Sequence, residues 1–266
     1  MRRFATGLFA AGLGCSLISI ASAADLPARV AAPPAPVPVV AVYNWTGVYM
    51  GINAGYVWGK DDVTWTTNGV GIAPAIATAA TGSISPSGFT AGGQVGWNYQ
   101  INQYVFGIEA DMAYTDLKAT RTSVPIGFTN AMLSSVESRW LATVRGRLGW
   151  VWGNLLFYGT GGAAWGHVNT TVTLNCLGAG GCGNSVTLLT GTSSTSTTKA
   201  GWVAGLGAEG MLTKNLSVRA EWLHIDLGTI SDSVTTVGTA LSTQTAVWSR
   251  TERFDEFRVG LNYLFH

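Results

Sequence analysis

Histidine and cysteine are scarce in this chain, three of each in 266 residues. Cys15 lies in an apolar N-terminal run, which leaves Cys176 and Cys182 with no histidine or third cysteine nearby. That spacing argues against a metal centre and favours a disulfide across the intervening glycine-rich segment, suited to an oxidising compartment. Charge is also scarce. Only 11% of residues are Asp, Glu, Lys or Arg, against about 25% in soluble domains. The formal charge of +1 falls to −1 without Arg2 and Arg3, a balance that argues against nucleic acid as a partner. Phosphate loops, zinc spacings and nucleotide fingerprints are missing. Past the N-terminal run, no apolar stretch reaches the ~20 residues of a membrane helix.

What is present begins with an export signal. Residues 1–23 combine Arg2 and Arg3, an apolar run from Phe4 to Ile20, and Ala21-Ser22-Ala23 as a small-residue cleavage site. Gly12 stands where a lipid-attachment motif usually has leucine, which disfavours a lipoprotein. Residues 24–44 include Pro33, Pro34, Pro36 and Pro38 and are expected to form an extended periplasmic lead-in. Residues 45–266 are expected to form one β-domain.

Within that domain the segment 256–265 alternates without a break. Phe257, Val259, Leu261, Tyr263 and Phe265 share one face; Glu256, Arg258, Gly260 and Asn262 share the other. Eight such segments are predicted, at 46–58, 88–100, 104–115, 139–150, 155–167, 200–211, 216–226 and 255–265. Each is near the ~9–11 residues that cross a bilayer at a tilt. The turns at Ile101-Asn102-Gln103, Gly153-Asn154 and Thr213-Lys214-Asn215 are short. They alternate with long polar loops at 59–87, 116–138, 168–199 and 227–254. Short turns on one side and long loops on the other are the outer-membrane arrangement. Trp58, Trp97, Tyr99, Tyr114, Trp140, Trp150, Tyr158 and Tyr263 lie near strand ends and read as interfacial girdles.

The same register turns Glu109, Asp111, Arg145, Arg147, Glu209, Arg219, Glu221, Glu256 and Arg258 inward. An arginine facing lipid at mid-membrane costs roughly 2–4 kcal/mol, so the register is energetically enforced. An eight-stranded barrel is just wide enough for side chains to fill. Each acid has an arginine on a neighbouring strand, so pairing within a plugged lumen is predicted. Catalysis is not. His224 and Asp226 share a face and His167 ends the fifth segment, but no spacing joins a nucleophile to a base. A lone histidine is also a weak haem ligand, and no cofactor is expected.

Tyr43-Asn-Trp-Thr-Gly-Val-Tyr-Met-Gly-Ile-Asn-Ala-Gly-Tyr56 resembles the opening strand of the 25- and 31-kilodalton outer-membrane immunogenic proteins of alphaproteobacteria, within the wider opacity-protein-like barrels. Tyr158-Gly-Thr-Gly-Gly-Ala-Ala-Trp165, Gly201-Trp-Val-Ala-Gly-Leu-Gly-Ala-Glu209, Arg219-Ala-Glu-Trp-Leu-His-Ile-Asp-Leu-Gly228 and the closing strand resemble further family segments. The resemblance implies an all-β, eight-stranded antiparallel transmembrane barrel. It implies a non-catalytic surface antigen of the outer membrane that supports envelope integrity; some members are described as porins or haem binders. The partners expected are outer-membrane lipid and lipopolysaccharide, and the barrel-assembly machinery, engaged by the last strand. A small ion channel, or loops that hold haem or a host ligand, are the alternatives. His266 departs from the family habit of ending on an aromatic residue.

Overall fold

The structure, a computed structural model, describes residues 43–67, 78, 81–123, 131–176, 189–238 and 243–265. The expected signal segment, nearly all of the proline-rich lead-in, Cys182 and His266 lie outside the described residues, and the Cys176–Cys182 pairing with them. Among the described residues ten strands form: β1 (Gly47–Gly59), β2 (Asp61–Thr67), β3 (Gly82–Ile84), β4 (Ser87–Ile101), β5 (Tyr104–Ser123), β6 (Ala131–Trp152), β7 (Leu155–Cys176), β8 (Leu189–Met211), β9 (Leu216–Gly238) and β10 (Thr243–Phe265).

Eight of them close a cylinder. β1 pairs with β4, each later strand pairs antiparallel with its successor, and β10 returns to β1 with Val48 opposite Phe265 and Gly59 opposite Phe254. Closure leaves no sheet edge in lipid, where an unpaired peptide group would cost several kcal/mol. The strand count differs from the eight predicted because β1 and β4 are each continued past an interruption. β2 runs on beside β10, with Val63 opposite Arg250, and β3 pairs with β2. Pro86 has no N–H to give a ladder, and its carbonyl instead accepts the Gly59 N–H at 2.8 Å. At the short-turn end, Asn102 (φ 53°) and Gly153 (φ 64°) take the left-handed backbone that tight hairpins need.

The predicted long loops are a second correction. Much of their described length is strand, because β5 to β10 run for 20 to 23 residues. The residues there are β-branched and hydroxylic, and in β2 alternation persists: Val63 and Trp65 point in while Thr64 and Thr66 point out. A bilayer needs only about half that length, so the barrel wall rises well above the membrane.

Outward side chains locate the membrane. Met50, Ile52, Val95, Ile108, Met112, Val144, Leu206, Val259 and Leu261 are exposed and apolar. They lie between two aromatic bands. Trp97, Tyr99, Tyr104, Phe106, Trp150, Phe157, Tyr263 and Phe265 mark the turn end; Tyr56, Trp58, Phe89, Tyr114, Trp202 and Trp222 mark the other. Tyr158 does not join them. It is 4% exposed and points into the lumen, where a Cβ on Gly207 of the facing strand would overlap its ring. Tyr49 fills the space above Gly96 in the same way.

Replacing Gly207 with leucine is therefore expected to destabilise the barrel by about 1–3 kcal/mol, through forced displacement of Tyr158. Gly161→Ala, whose new methyl would meet nothing nearer than 3.6 Å, is expected to be close to neutral. Urea unfolding of the two variants in detergent micelles checks the contrast.

Candidate functional site

The lumen is filled in layers. At the turn end, Trp45, Tyr49, Val105, Leu156, Tyr158, Met211 and Leu264 pack into an apolar floor. Above the charged layer described next, Val57, Leu117, Leu141, Ala164, Val203, Leu223, Ile225, Leu227 and Phe254 form a second apolar layer. Trp65 and Trp248, opposite each other across the β2–β10 ladder, are buried still higher.

Between the floor and the second apolar layer sit all nine ionisable residues named from the sequence, each buried. Arg145 donates to Asp111 Oδ2 at 2.8 Å and to Glu221 Oε1 at 3.0 Å, and also bonds Glu109. Arg258 reaches Glu221 Oε2 through Nε at 2.8 Å and Asp111 Oδ1 through Nη1 at 3.1 Å. Arg219 pairs with Glu109, and Arg147 with Glu209. The Arg147 guanidinium also lies 3.7 Å from the Tyr158 ring centroid, a cation–π contact.

The partners are often not on neighbouring strands. Arg145 to Glu221 joins β6 to β9, Arg147 to Glu209 joins β6 to β8, and Arg258 to Asp111 joins β10 to β5. Long guanidiniums converge near the barrel axis, so each reaches acids across the lumen as easily as beside it. Glu256 stands apart from this pairing: its Oε1 accepts the Thr90 hydroxyl at 2.6 Å.

Neutral residues complete the network, and sequence reasoning had not assigned them to it. Tyr49 donates to Glu109 at 2.6 Å, and Thr143 to Asp111 at 2.6 Å. Asn262 donates to Glu209 at 2.7 Å, and its Oδ1 accepts from Gln94, whose own carbonyl accepts from Asn53. Their inward parity was visible in the alternation, but polar uncharged residues also suit a headgroup region. Their role appears only when the strands close.

A second charged group was hidden in the predicted loops. Asp61 on β2 meets Arg250 and Glu252 of β10, all three buried above the outer aromatic band. Burial pushes the Asp61 carboxyl up to about 7, against the pull of Arg250. Burial raises Glu252 as well, again opposed by Arg250. One arginine between two enclosed carboxylates compensates incompletely.

The two rim histidines face outward. His224 Nδ1 lies 2.9 Å from Asp255. His167 stacks on Trp140 at 6.0 Å, and its ring nitrogens contact Thr198 and Ser196 hydroxyls at 3.3 and 3.2 Å. Asp226 holds Arg253 at 3.0 Å and the Gly228 N–H at 2.8 Å, so it is not a partner for His224. No group of three or more metal-ligating side chains occurs among the described residues.

A closed antiparallel cylinder with an apolar belt, two aromatic bands and a charge-paired interior defines a transmembrane β-barrel of the outer membrane. Residues 27–265 match the family model described as the outer membrane protein beta-barrel domain, and the chain belongs to that family. It is 31% identical to the 31 kDa outer-membrane immunogenic protein of Brucella melitensis biotype 1, across 96% of this chain and 98% of that protein. The 25 kDa outer-membrane immunogenic protein of the same organism is 29% identical, across 87% of this chain and 84% of that one. Among solved structures, the outer membrane protein OprG of Pseudomonas aeruginosa aligns at 15% identity with a TM-score of 0.43, over 84% of this chain and 98% of that chain.

Two outcomes follow from the charges. Arg145→Leu takes one guanidinium from three buried carboxylates, leaving Glu109 to Arg219 and Asp111 and Glu221 to Arg258, and is expected to cost about 3–5 kcal/mol; equilibrium unfolding in micelles measures it. The Asp61 carboxyl is raised in the folded state above its ordinary value of 3.8. Its favourable contribution is thus complete below about pH 4 and is lost as pH rises through about 7. Thermal unfolding followed by tryptophan fluorescence should show a higher midpoint at pH 5 than at pH 8, and Asp61→Asn should narrow that gap.

Proposed function

We propose that the protein is a non-catalytic structural component of the outer-membrane surface, supporting envelope integrity with a plugged barrel and presenting its outer wall as an antigen. One observation carries this reading: side chains fill the lumen in successive apolar and ion-paired layers. Moving an ion through the charged layer would require separating guanidinium–carboxylate pairs whose desolvation is otherwise uncompensated. The apolar layers on either side offer a hydrated ion nothing in exchange for its water. The relatives are named as immunogenic outer-membrane proteins, which accords with surface exposure. The apolar belt supports contact with outer-leaflet lipid and lipopolysaccharide as partners, and the alternating β10 strand is the part suited to recognition by the assembly machinery.

Planar-bilayer recording of the refolded protein tests the plug. Small or rare openings are expected. Large, steady conductance would overturn the reading and favour a porin.

A further inference from the structure

One wall of the cylinder is not continuous. The β8–β9 ladder runs from Met211–Ser217 up to Trp202–Asp226, stops, and resumes only at Thr190–Val237. Over the interrupted stretch β8 remains paired to β7, and β9 remains paired to β10. In an antiparallel ladder the peptide groups point alternately to either side. Alternate N–H and C=O groups of these two edges therefore face a cleft instead of each other. Gly228, at φ 77°, turns β9 aside where the cleft begins. On the lumen side, Thr195 bonds Asp232 across the gap.

The position of the cleft selects its surroundings. Its base is the Trp202–Asp226 rung, within the outer aromatic band, and it extends away from the membrane as far as the Thr190–Val237 rung. In hydrocarbon two unpaired edges would be prohibitive; among polar headgroups they are usable donors and acceptors. The outward residues beside the cleft are Ser196 and Thr198 on β8 and Thr229 and Ser231 on β9, all exposed. At its foot Trp202 is 50% exposed, with the His224 ring 5.5 Å away. Of the charged side chains nearby, Arg253 pairs with Asp226 and His224 Nδ1 lies 2.9 Å from Asp255, while Lys199, of the same parity as Thr195, and Asp232, bonded to Thr195, belong to the lumen side.

We infer that the β8–β9 cleft is a binding site for the sugar rings of an outer-leaflet glycolipid, with Trp202 as the stacking platform and the hydroxyls and unpaired peptide groups of both edges as hydrogen-bond partners. The inference rests on the reading of this chain as an envelope protein embedded in that leaflet. A sugar presents an apolar C–H face to an aromatic ring and a rim of hydroxyls that both donate and accept. Matching it takes an exposed tryptophan beside a mixed row of donors and acceptors, which is what the outer face of this cleft has. A phosphate would instead want unpaired cations. The height of the cleft, just beyond the headgroup-level aromatics, is where the sugars of a membrane-anchored glycolipid stand.

The test is a fluorescence titration of the refolded full chain in detergent with three probes: lipid A carrying its core oligosaccharide, the same lipid A without sugars, and the free core oligosaccharide. The sugar-bearing lipid should bind most tightly. Trp202→Leu, which keeps an apolar side chain at the interface, should weaken it about tenfold, the equilibrium effect of losing one ring contact. Ser196→Val combined with Ser231→Val, at two exposed sites, should weaken it severalfold even if the tryptophan variant folds poorly. Equal binding of lipid A with and without sugars, or unchanged binding by both variants, would overturn the inference. So would free oligosaccharide binding as tightly as the glycolipid, since the source would then not be the membrane. A large conductance would sink the plugged-lumen reading and leave this titration as it stands.

Discussion

Arginine–carboxylate pairing inside a cylinder that lipid surrounds is the interaction on which the rest of this structure depends. A chain placed in hydrocarbon must satisfy its own backbone, which requires strand closure, and must hide its charges, which leaves only the lumen. Once four arginines and five acids share that narrow space, each desolvated charge is tolerable only beside its opposite or, as at Glu256, against a hydrogen-bond donor. Register follows from this. Sliding any strand by one residue would turn guanidiniums to the acyl chains and phenylalanines to the axis. The network specifies the barrel more than it adds to net stability, since buried pairs often do no better than hydrophobic residues of the same shape.

The layers above and below the network give it its setting. The floor built on Trp45, Tyr49 and Tyr158 keeps water from the turn end, and the Val57–Phe254 layer does so from the other. Low local dielectric strengthens the pairs it encloses. Glycines make the packing possible, because the rings of Tyr49 and Tyr158 occupy the volume that side chains at Gly96 and Gly207 would claim. Beyond the outer aromatic band the constraint relaxes. There the wall can carry an under-compensated trio at Asp61, Arg250 and Glu252 and an interrupted ladder, neither of which hydrocarbon would permit.

Much of this was legible in the chain. The unbroken alternation of the last strand, and the inward parity of Arg145, Arg147, Arg219 and Arg258, were enough to predict a barrel with its charges inside. Asn102 and Gly153 marked tight turns correctly. The outer half of the barrel was misread, because stretches such as Ser193-Ser-Thr-Ser-Thr-Thr198 are polar on both faces, and polarity without periodicity reads as loop. Those residues are strand because β7 is there to pair with. Tyr158 lies near a strand end and so reads as interfacial, but its parity, shared with Leu156, puts it inside.

The sequence by itself determined which faces meet lipid and which meet the axis, because a period of two is a property of the backbone and needs no partner to be read. It likewise determined that the charges had to balance within. Only the tertiary structure decided which arginine meets which acid, that Asp61 joins residues nearly two hundred positions away, and where the wall parts between β8 and β9. Those are relations across the barrel axis or between strand edges. Closure brings such residues together, and nothing in their spacing along the chain encodes the distance.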